Sequence, residues 1–591
     1  TEKYLPSEVV FNASNNYGTT NEVTNQMSDK RTIATENSLT WQSRFKNAKM
    51  HNLQAQLKMQ TSTSTSTTQL ITSRGLPSSS ITDATADGQI ASTQNANSQD
   101  HSVSWMGRLH YVFNERYIFD ANYRIDGSTQ FGSANRYGKF PGVAAKWLIS
   151  DEPLFKKAFG DKVVTLLAFR PSWGISGRQP GKNYLQYSLL STDSYGYMDM
   201  SAVYPTRIRL DGLKWEKVTS MNWGADLELW NGKVAINFDL YHKRTNDLLF
   251  SNISIPSTSG FATLSYKNVG TLDNDGWEVT VNFNKIIHTK KFSMDFNFNL
   301  ASNKNKIVDL NESVLNNYNN VESFGNGYYA TRLQVGNSFG SIYGFKYKGV
   351  YAYGFDNLEK AQAEGKTCPV ARDMNGNIMY NYDGTVKPMY YYYNSTKYQF
   401  QGGDAIYEDQ NGDGSIDQYD VVYLGNCNPK LSGGWGLTLR YDKFSVNFFC
   451  NFRYGNKIIN KARMDAENMY YAYNQCSTVN WRWRKEGDVT NVPRAVYQQG
   501  YNWLGSDRYV EDGSFMRMKY ITFRYTFPTT WTKSLGMSRV SAYFTINNLF
   551  CLTKYSGADP EINSNTATGV VTDNSTTPRS KDWTLGLSVN F

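Results

Sequence analysis

Trp583-Thr-Leu-Gly-Leu-Ser-Val-Asn-Phe591 closes the chain with an apolar residue at every second position. Trp583, Leu585, Leu587, Val589 and Phe591 fall on one face of a strand, and Thr584, Gly586, Ser588 and Asn590 fall on the other. The strand ends on an aromatic residue with no turn after it. The last strand of a soluble sandwich could carry the same pattern, so the remainder of the sequence has to decide.

Composition points toward lipid. Aromatics reach 15% and charged residues only 19%, below the roughly 25% charge of soluble domains. No run of about 18 apolar residues is present, which excludes a transmembrane helix. A chain that is half greasy and half polar, without such a helix, has the composition of an outer-membrane β-barrel. A secreted glycan-binding β-protein is the alternative.

The net charge of +9 is spread along the chain, without the Lys/Arg cluster of a nucleic-acid binder. Cys368, Cys427, Cys450, Cys476 and Cys551 form no CxxC pair, which removes zinc and thioredoxin readings. His51, His101, His110, His242 and His288 lack ligand spacing. No GxSxG, phosphate loop or HExxH appears, so the sequence does not read as an enzyme.

Alternating segments recur in pairs: 38–45 with 52–60, 103–113 with 117–125, 143–149 with 163–173, and 221–229 with 234–241. The series continues with 277–283 and 292–300, 435–441 and 444–452, 515–527 and 540–549, then the terminal strand. Within most pairs the link is short, and Asn231-Gly232 favours a tight primed turn. Between pairs the links run to tens of residues (60–101, 246–276, 303–434, 454–514 and 551–581). Short turns on one rim and long loops on the other are the asymmetry of outer-membrane barrels, with the short turns periplasmic. The Thr/Ser run 61–68 and the polar stretch to Ser98 read as a mobile loop, and residues 1–35 as one more strand and a loop.

The expected fold is therefore all-β, a transmembrane antiparallel barrel of which about fifteen or sixteen strands are present. Single-chain bacterial barrels use even strand numbers and leave no open edge in lipid. With no Met or signal segment at Thr1, the expectation is that residues 1–591 are the C-terminal part of something longer.

Several segments carry a family resemblance. Tyr509–Pro528 (YVEDGSFMRMKYITFRYTFP) and Asn547–Glu561 (NNLFCLTKYSGADPE) are the most distinctive. Tyr241–Leu249 (YHKRTNDLL), Ile255–Gly260 (IPSTSG), Asn268–Trp277 and Trp483–Arg494 add to them. From about residue 100 onward the chain resembles the SusC/RagA family of TonB-dependent outer-membrane transporters. The resemblance implies a barrel of about 22 strands, an N-terminal plug and a SusD-like surface lipoprotein as lid. It also implies a Gram-negative outer membrane, energy supplied by TonB through the plug, and glycans or oligopeptides as cargo. A siderophore or cobalamin receptor is the alternative within transport. Neither plug nor TonB box is recognisable in these residues.

Three groups of residues are candidate sites. Asp409, Asn411, Asp413, Ser415, Asp417 and Asp420 follow the spacing of a twelve-residue calcium loop, with Gly414 at the sharp turn. This loop, 409–420, falls in the long external segment 304–433. Asp420 stands where a longer Glu is usual, and an Asx-turn loop without metal is the alternative. Tyr390, Tyr391, Tyr392, Tyr393, Tyr471, Trp481 and Trp483 lie in expected external loops, where rings can stack on sugars, meet a lid protein or pack the loops. Trp583, Leu585, Leu587, Val589 and Phe591 are the expected membrane-insertion signal.

Overall fold

The computed structural model describes residues 2–5, 11–12, 16–17, 22–44, 50–76, 78, 81, 83–85, 88–159, 162–193, 200–312, 314–315, 329, 332–393, 396–563 and 568–591. Among them, antiparallel sheet dominates and no helix is long and apolar enough to cross a membrane. Fifteen strands of one large sheet stand out among the described residues. They are β1 Glu22–Arg44, β2 His51–Arg74, β3 Gln89–Phe113, β4 Tyr117–Ser128, β5 Tyr137–Leu148, β6 Val164–Arg178, β7 Glu216–Leu229 and β8 Val234–Asn246. The series continues as β9 Gly270–His288, β10 Phe292–Leu310, β11 Leu431–Tyr441, β12 Phe444–Tyr454, β13 Phe515–Thr526, β14 Arg539–Asn547 and β15 Asp582–Asn590. Each alternating segment seen in the sequence overlaps one of these strands.

The chain divides into two compact units. The first holds Thr1–Ala145, Ser172–Thr219 and Asp247–Asn268. Here β1 to β4 pair in sequence order, and Leu39, Leu57, Trp105 and Tyr123 are exposed on one face. A separate core gathers Phe131, Phe140, Leu185, Leu213 and Trp215, with the Phe131 and Trp215 rings stacked.

The second unit holds Lys146–Pro171, Ser220–Asn246 and Val269–Phe591. Its strands β8 to β15 pair in sequence order, and one cross-strand row passes through all eight. It runs Val234, Phe283, Phe296, Leu437, Phe448, Ile521, Ile546 and Trp583, and every member is apolar. One residue away, on the opposite face, Asp295, Thr438, Asn447, Thr522, Thr545 and Thr584 form a polar row. Its side chains bond laterally: Asn447 Nδ2 donates to Thr438 Oγ1 at 2.9 Å, and the Thr522 and Thr545 hydroxyls lie 2.9 Å apart. A period of two in the sequence thus becomes a wall with one greasy and one wet side.

Trp583, Leu585 and Leu587 are exposed on the greasy side, with Val589 half-buried and Phe591 90% exposed. Asn590 carbonyl oxygen accepts from the Ser538 amide, so the chain terminus lies beside the link between β13 and β14, at the short-turn rim. The turn at Asn231-Gly232 uses positive φ at both residues, 55° and 77°.

Three sequence expectations need correction. The run 61–68 is not a loop: it lies inside β2, paired with β1 and β3. Alternation puts Thr61, Thr63, Thr65 and Thr67 on one face and Ser62, Ser64 and Ser66 on the other. Hydroxyl pairs such as Thr35–Thr61 (2.6 Å) and Thr32–Ser64 (3.2 Å) link the strands. Similarly, the described residues 22–35 continue β1, while the short strand Glu2–Leu5 pairs with Glu22–Asn25. The external links are also shorter than expected, because β2, β3, β9 and β10 extend into them; the first link narrows to 75–88. The cause is common to all three. Outside the hydrocarbon both faces of a strand are wet, so the ladder continues without apolar alternation to announce it.

Candidate functional site

Beyond the ends of β10 to β13, segments 332–430 and 455–514 fold on each other into a layer with its own core. Tyr343, Phe345, Tyr351, Met389, Tyr391, Phe400, Tyr407, Ile416 and Leu504 form that core. Buried charges pin it. Asp404 is fully buried and accepts from Arg494 Nε (2.7 Å), the Tyr398 hydroxyl (2.7 Å), the Gln401 amide (2.8 Å) and Asn502 Nδ2 (3.2 Å). Burial, then the Asp404 carboxylate, pushes the Tyr398 hydroxyl well above its ordinary range. A second cluster joins Glu467 to Arg463 (2.8 Å) and Arg508 (2.7 Å), with Tyr347 donated to by Arg508. Burial pushes Tyr347 up to about 12. Buried carboxylates with this many donors hold their loops in one arrangement.

On this layer the tyrosine tetrad is sorted by strand alternation. Tyr390–Tyr393 pairs with Thr396–Gln399. Tyr391 is fully buried, its ring centroid 3.9 Å from that of Tyr501. Tyr390 and Tyr392 share the other side, 6.0 Å apart, with Lys397 Nζ 3.8 Å above the Tyr390 ring. The side chain of Tyr393 lies outside the described residues. Tyr471 is exposed and packs edge-on to Tyr470 at 4.8 Å, with Tyr473 beside it. Trp481 is 77% exposed. Trp483 is a packing residue: its Nε1 donates to the Ala352 carbonyl at 3.2 Å, and its ring lies against Gly403. A Cβ at Gly403, where φ is +85°, would sit 2.4 Å from that ring.

The loop 409–420 is stitched by its own amides. Asp409 accepts from the Gly412 and Gly414 amides (2.7 and 2.8 Å), and Asp413 from Ser415 (2.8 Å). Asp417 accepts from Tyr419 (2.7 Å), and Asp420 from Gln410 and Asp417 (2.7 and 2.8 Å). Gly412 and Gly414 take positive φ, 67° and 80°. Burial, with Asp409 and Asp417 nearby, pushes the Asp420 carboxyl up to about 7. The donor set suits a hard cation, since each carboxylate oxygen keeps a further lone pair. Among the described residues, however, no three His, Cys, Asp or Glu groups are gathered as ligands in this conformation.

Sequence reading missed the latch beneath this layer. Arg517, on β13, is buried and ion-paired with Asp559 and, at 3.3 Å, with Glu561. Lys519 and Arg579 reach the same Glu561 at 2.7 and 3.0 Å. The MRMKY and DPE blocks were visible as motifs, but their pairing across 42 residues was not.

No family model matches the chain. A TonB-dependent receptor of Formosa agariphila is 30% identical over 512 residues, covering 84% of this chain and 47% of the relative. TonB-dependent receptor SusC of Bacteroides thetaiotaomicron is 27% identical, covering 83% and 44%. The chain is homologous to TonB-dependent outer-membrane receptors of the SusC type. It spans about half the length of the curated relatives it matches. Among solved structures, the RagAB peptide transporter superposes with a TM-score of 0.75 at 20% identity, over 98% of this chain and 57% of that one. The RagAB peptide importer in its 'closed-closed' state gives 0.76 at 19%, over 98% and 57%. The fold is that of a TonB-dependent receptor's β-barrel, and the protein belongs to the outer membrane of a Gram-negative bacterium.

Proposed function

We propose that this chain is the barrel wall of a SusC-like importer. It would take up glycans or oligopeptides captured with a SusD-like surface lipoprotein, energised by TonB through a plug. The observation that carries the reading is the unbroken apolar row from Val234 to Trp583, backed by the polar row from Asp295 to Thr584. Such a wall separates lipid from an aqueous interior. The layer 332–514 supports a capture role. It is held rigid by Asp404–Arg494 and Glu467–Arg508, and it presents Tyr392, Tyr471 and Trp481 outward, with Tyr390 half-buried beside Tyr392. Exposed rings on a fixed support suit the C–H faces of sugars and the apolar surfaces of peptides.

The test is detergent extraction of the tagged protein from outer membranes, with identification of copurifying chains. A surface lipoprotein in the complex, and TonB-dependent growth on an oligosaccharide or oligopeptide, are expected. Recovery in a detergent-free soluble fraction would end the proposal.

A further inference from the structure

On the apolar side of the first unit, a concavity of about 780 Å³ crosses β1 to β4, lined by Leu39, Leu57, Met59, Trp105, Gly107 and Tyr123 among others. Of β4, Tyr123 and Ile125 line it and Arg124 between them does not, which places the opening on the face that carries Leu39 and Leu57. Its floor is Gly107. In the cross-strand row Leu39, Leu57, Gly107 and Tyr123, the glycine is the gap among large exposed side chains, and Trp105 stands two residues away along β3. The backbone does not call for a glycine there: its φ is not positive, and an added Cβ would meet only Leu57 Cδ2, at 3.8 Å. A glycine inside a strand weakens it, and where the backbone does not need one it marks close approach from outside. Trp105 and Tyr123 are girdle residues at the water boundary of the hydrocarbon band. Beyond Trp105 on the same face, toward the external link 75–88, the rows turn polar: Thr35–Thr61–Val103, Ile33–Thr63–His101, then Arg31–Thr65–Gln99. Thr63 Oγ1 lies 2.9 Å from His101 Nδ1, and Arg31 is exposed.

We infer that this groove seats an acyl chain of an outer-leaflet lipopolysaccharide, whose phosphorylated sugar lies on the hydroxyl rows and meets Arg31. The groove is continuous with the lipid-facing surface, so hydrocarbon is the medium that fills it. The notch over Gly107 gives one chain a deeper seat than the flat wall on either side. Asn37, in the row of Met59 and Trp105, sets an amide at the mouth where an ester would lie. Sugar hydroxyls find partners in Thr35, Thr61 and Thr63, and an arginine fork binds a phosphate with two parallel bonds. From Thr35 to Arg31 is four residues, or roughly 13 Å along the strand. That span suits a phosphorylated disaccharide better than the compact head of a phospholipid. The inference rests on the outer-membrane barrel fold and not on which cargo is imported.

The test takes the full chain, extracted from outer membranes in detergent, and adds purified bisphosphorylated lipid A, with bound adducts read by native mass spectrometry. One tightly held lipid A per chain is expected, in preference to phosphatidylglycerol of matched acyl length. Gly107→Leu, which fills the floor of the groove, should weaken lipid A by about tenfold or more, the loss of about two buried methylenes. The double variant R31Q/H101Q should leave the chain seat intact but erase the preference for bisphosphorylated over dephosphorylated lipid A. Heat-modifiable migration in gels confirms that each variant is folded. Should Gly107→Leu not fold, Gly107→Ala is expected to lower affinity by a smaller factor. Four results would each overturn the inference: phosphatidylglycerol held as strongly as lipid A, affinity unchanged in folded Gly107 variants, a phosphate preference that survives R31Q/H101Q, or a lipid-free dimer that Gly107→Leu dissolves.

Discussion

Lys519 Nζ lies 2.7 Å from Glu561 Oε1, while Arg517, two residues earlier on the same strand, holds Asp559. The strand bulges between them and Tyr520: Phe449 faces Tyr520, but Cys450 faces Met518, which leaves Lys519 opposite no residue of β12. The Asp-Pro-Glu corner is thereby fastened to the wall by two neighbouring cations.

Asp559→Ala should accordingly leave the buried Arg517, whose side chain is 5% exposed, with the longer 3.3 Å contact to Glu561 in place of its close partner. Removing one partner of such a pair costs about 3–5 kcal/mol. The expected result is a lower thermal midpoint in detergent and earlier proteolysis within 551–581. A midpoint equal to that of the parent protein would contradict the buried latch.

Leu585 and Thr584 offer a paired test of the wall. Leu585→Arg puts a charge on the apolar side and is expected to cost about 2–4 kcal/mol if it lies near mid-membrane. Thr584→Arg, on the polar side, should be nearly neutral. Urea titration after folding into lipid vesicles reads both, and equal penalties would mean that the two faces are misassigned.

Tyr391 and Tyr392 are adjacent, yet their substitutions should separate stability from binding. Tyr391→Ala empties a fully buried ring site and should cost about 3–5 kcal/mol. Tyr392→Ala should leave unfolding unchanged and weaken capture of cargo. Isothermal titration with the identified cargo, beside thermal unfolding, distinguishes them.

Cys427 carries a pH dependence. Burial, opposed only in part by the Val571 amide, pushes its thiol up to about 11 from an ordinary 9.0. Between those values the folded chain retains a proton that the unfolded chain has released, so stability falls as pH rises through that window. Cys427→Ala should remove this part of the alkaline loss. At pH 8 the parent thiol should react with maleimide only after unfolding.

Calcium is the remaining test. If the loop 409–420 takes up a cation, calcium titration should give a dissociation constant of about 10⁻⁴–10⁻³ M. Asp409→Ala with Asp413→Ala should abolish the heat. No heat in the parent protein would leave the loop as the amide-stitched turn described above.

The hydrocarbon-facing half of each strand was legible in sequence because lipid and water impose opposite demands on successive residues. The terminal strand and 435–452 are the clearest cases. Thr61–Thr68 was not legible: with water on both faces, hydroxyl residues carry no contrast, and β-branching alone does not separate strand from loop. At the site, ring-rich segments announced themselves, but burial did not. Nothing in Tyr390–Tyr393 says which ring turns inward until Tyr501 and Ser415-Ile416 are brought alongside. Besides near neighbours such as Tyr398 and Arg463, the Asp404 and Glu467 clusters draw in Asn502 and Arg508 from 98 and 41 residues away, beyond the reach of any local pattern.

The first hairpins have a geometric consequence at the cell surface. β1, β2 and β3 run 23, 24 and 25 residues, where about 9–11 suffice to cross a membrane. At about 3.3 Å per residue, the excess makes a hydroxyl-studded palisade on the order of 40 Å long. A body drifting toward the bilayer on that flank must first clear a fence longer than the hydrocarbon layer is thick.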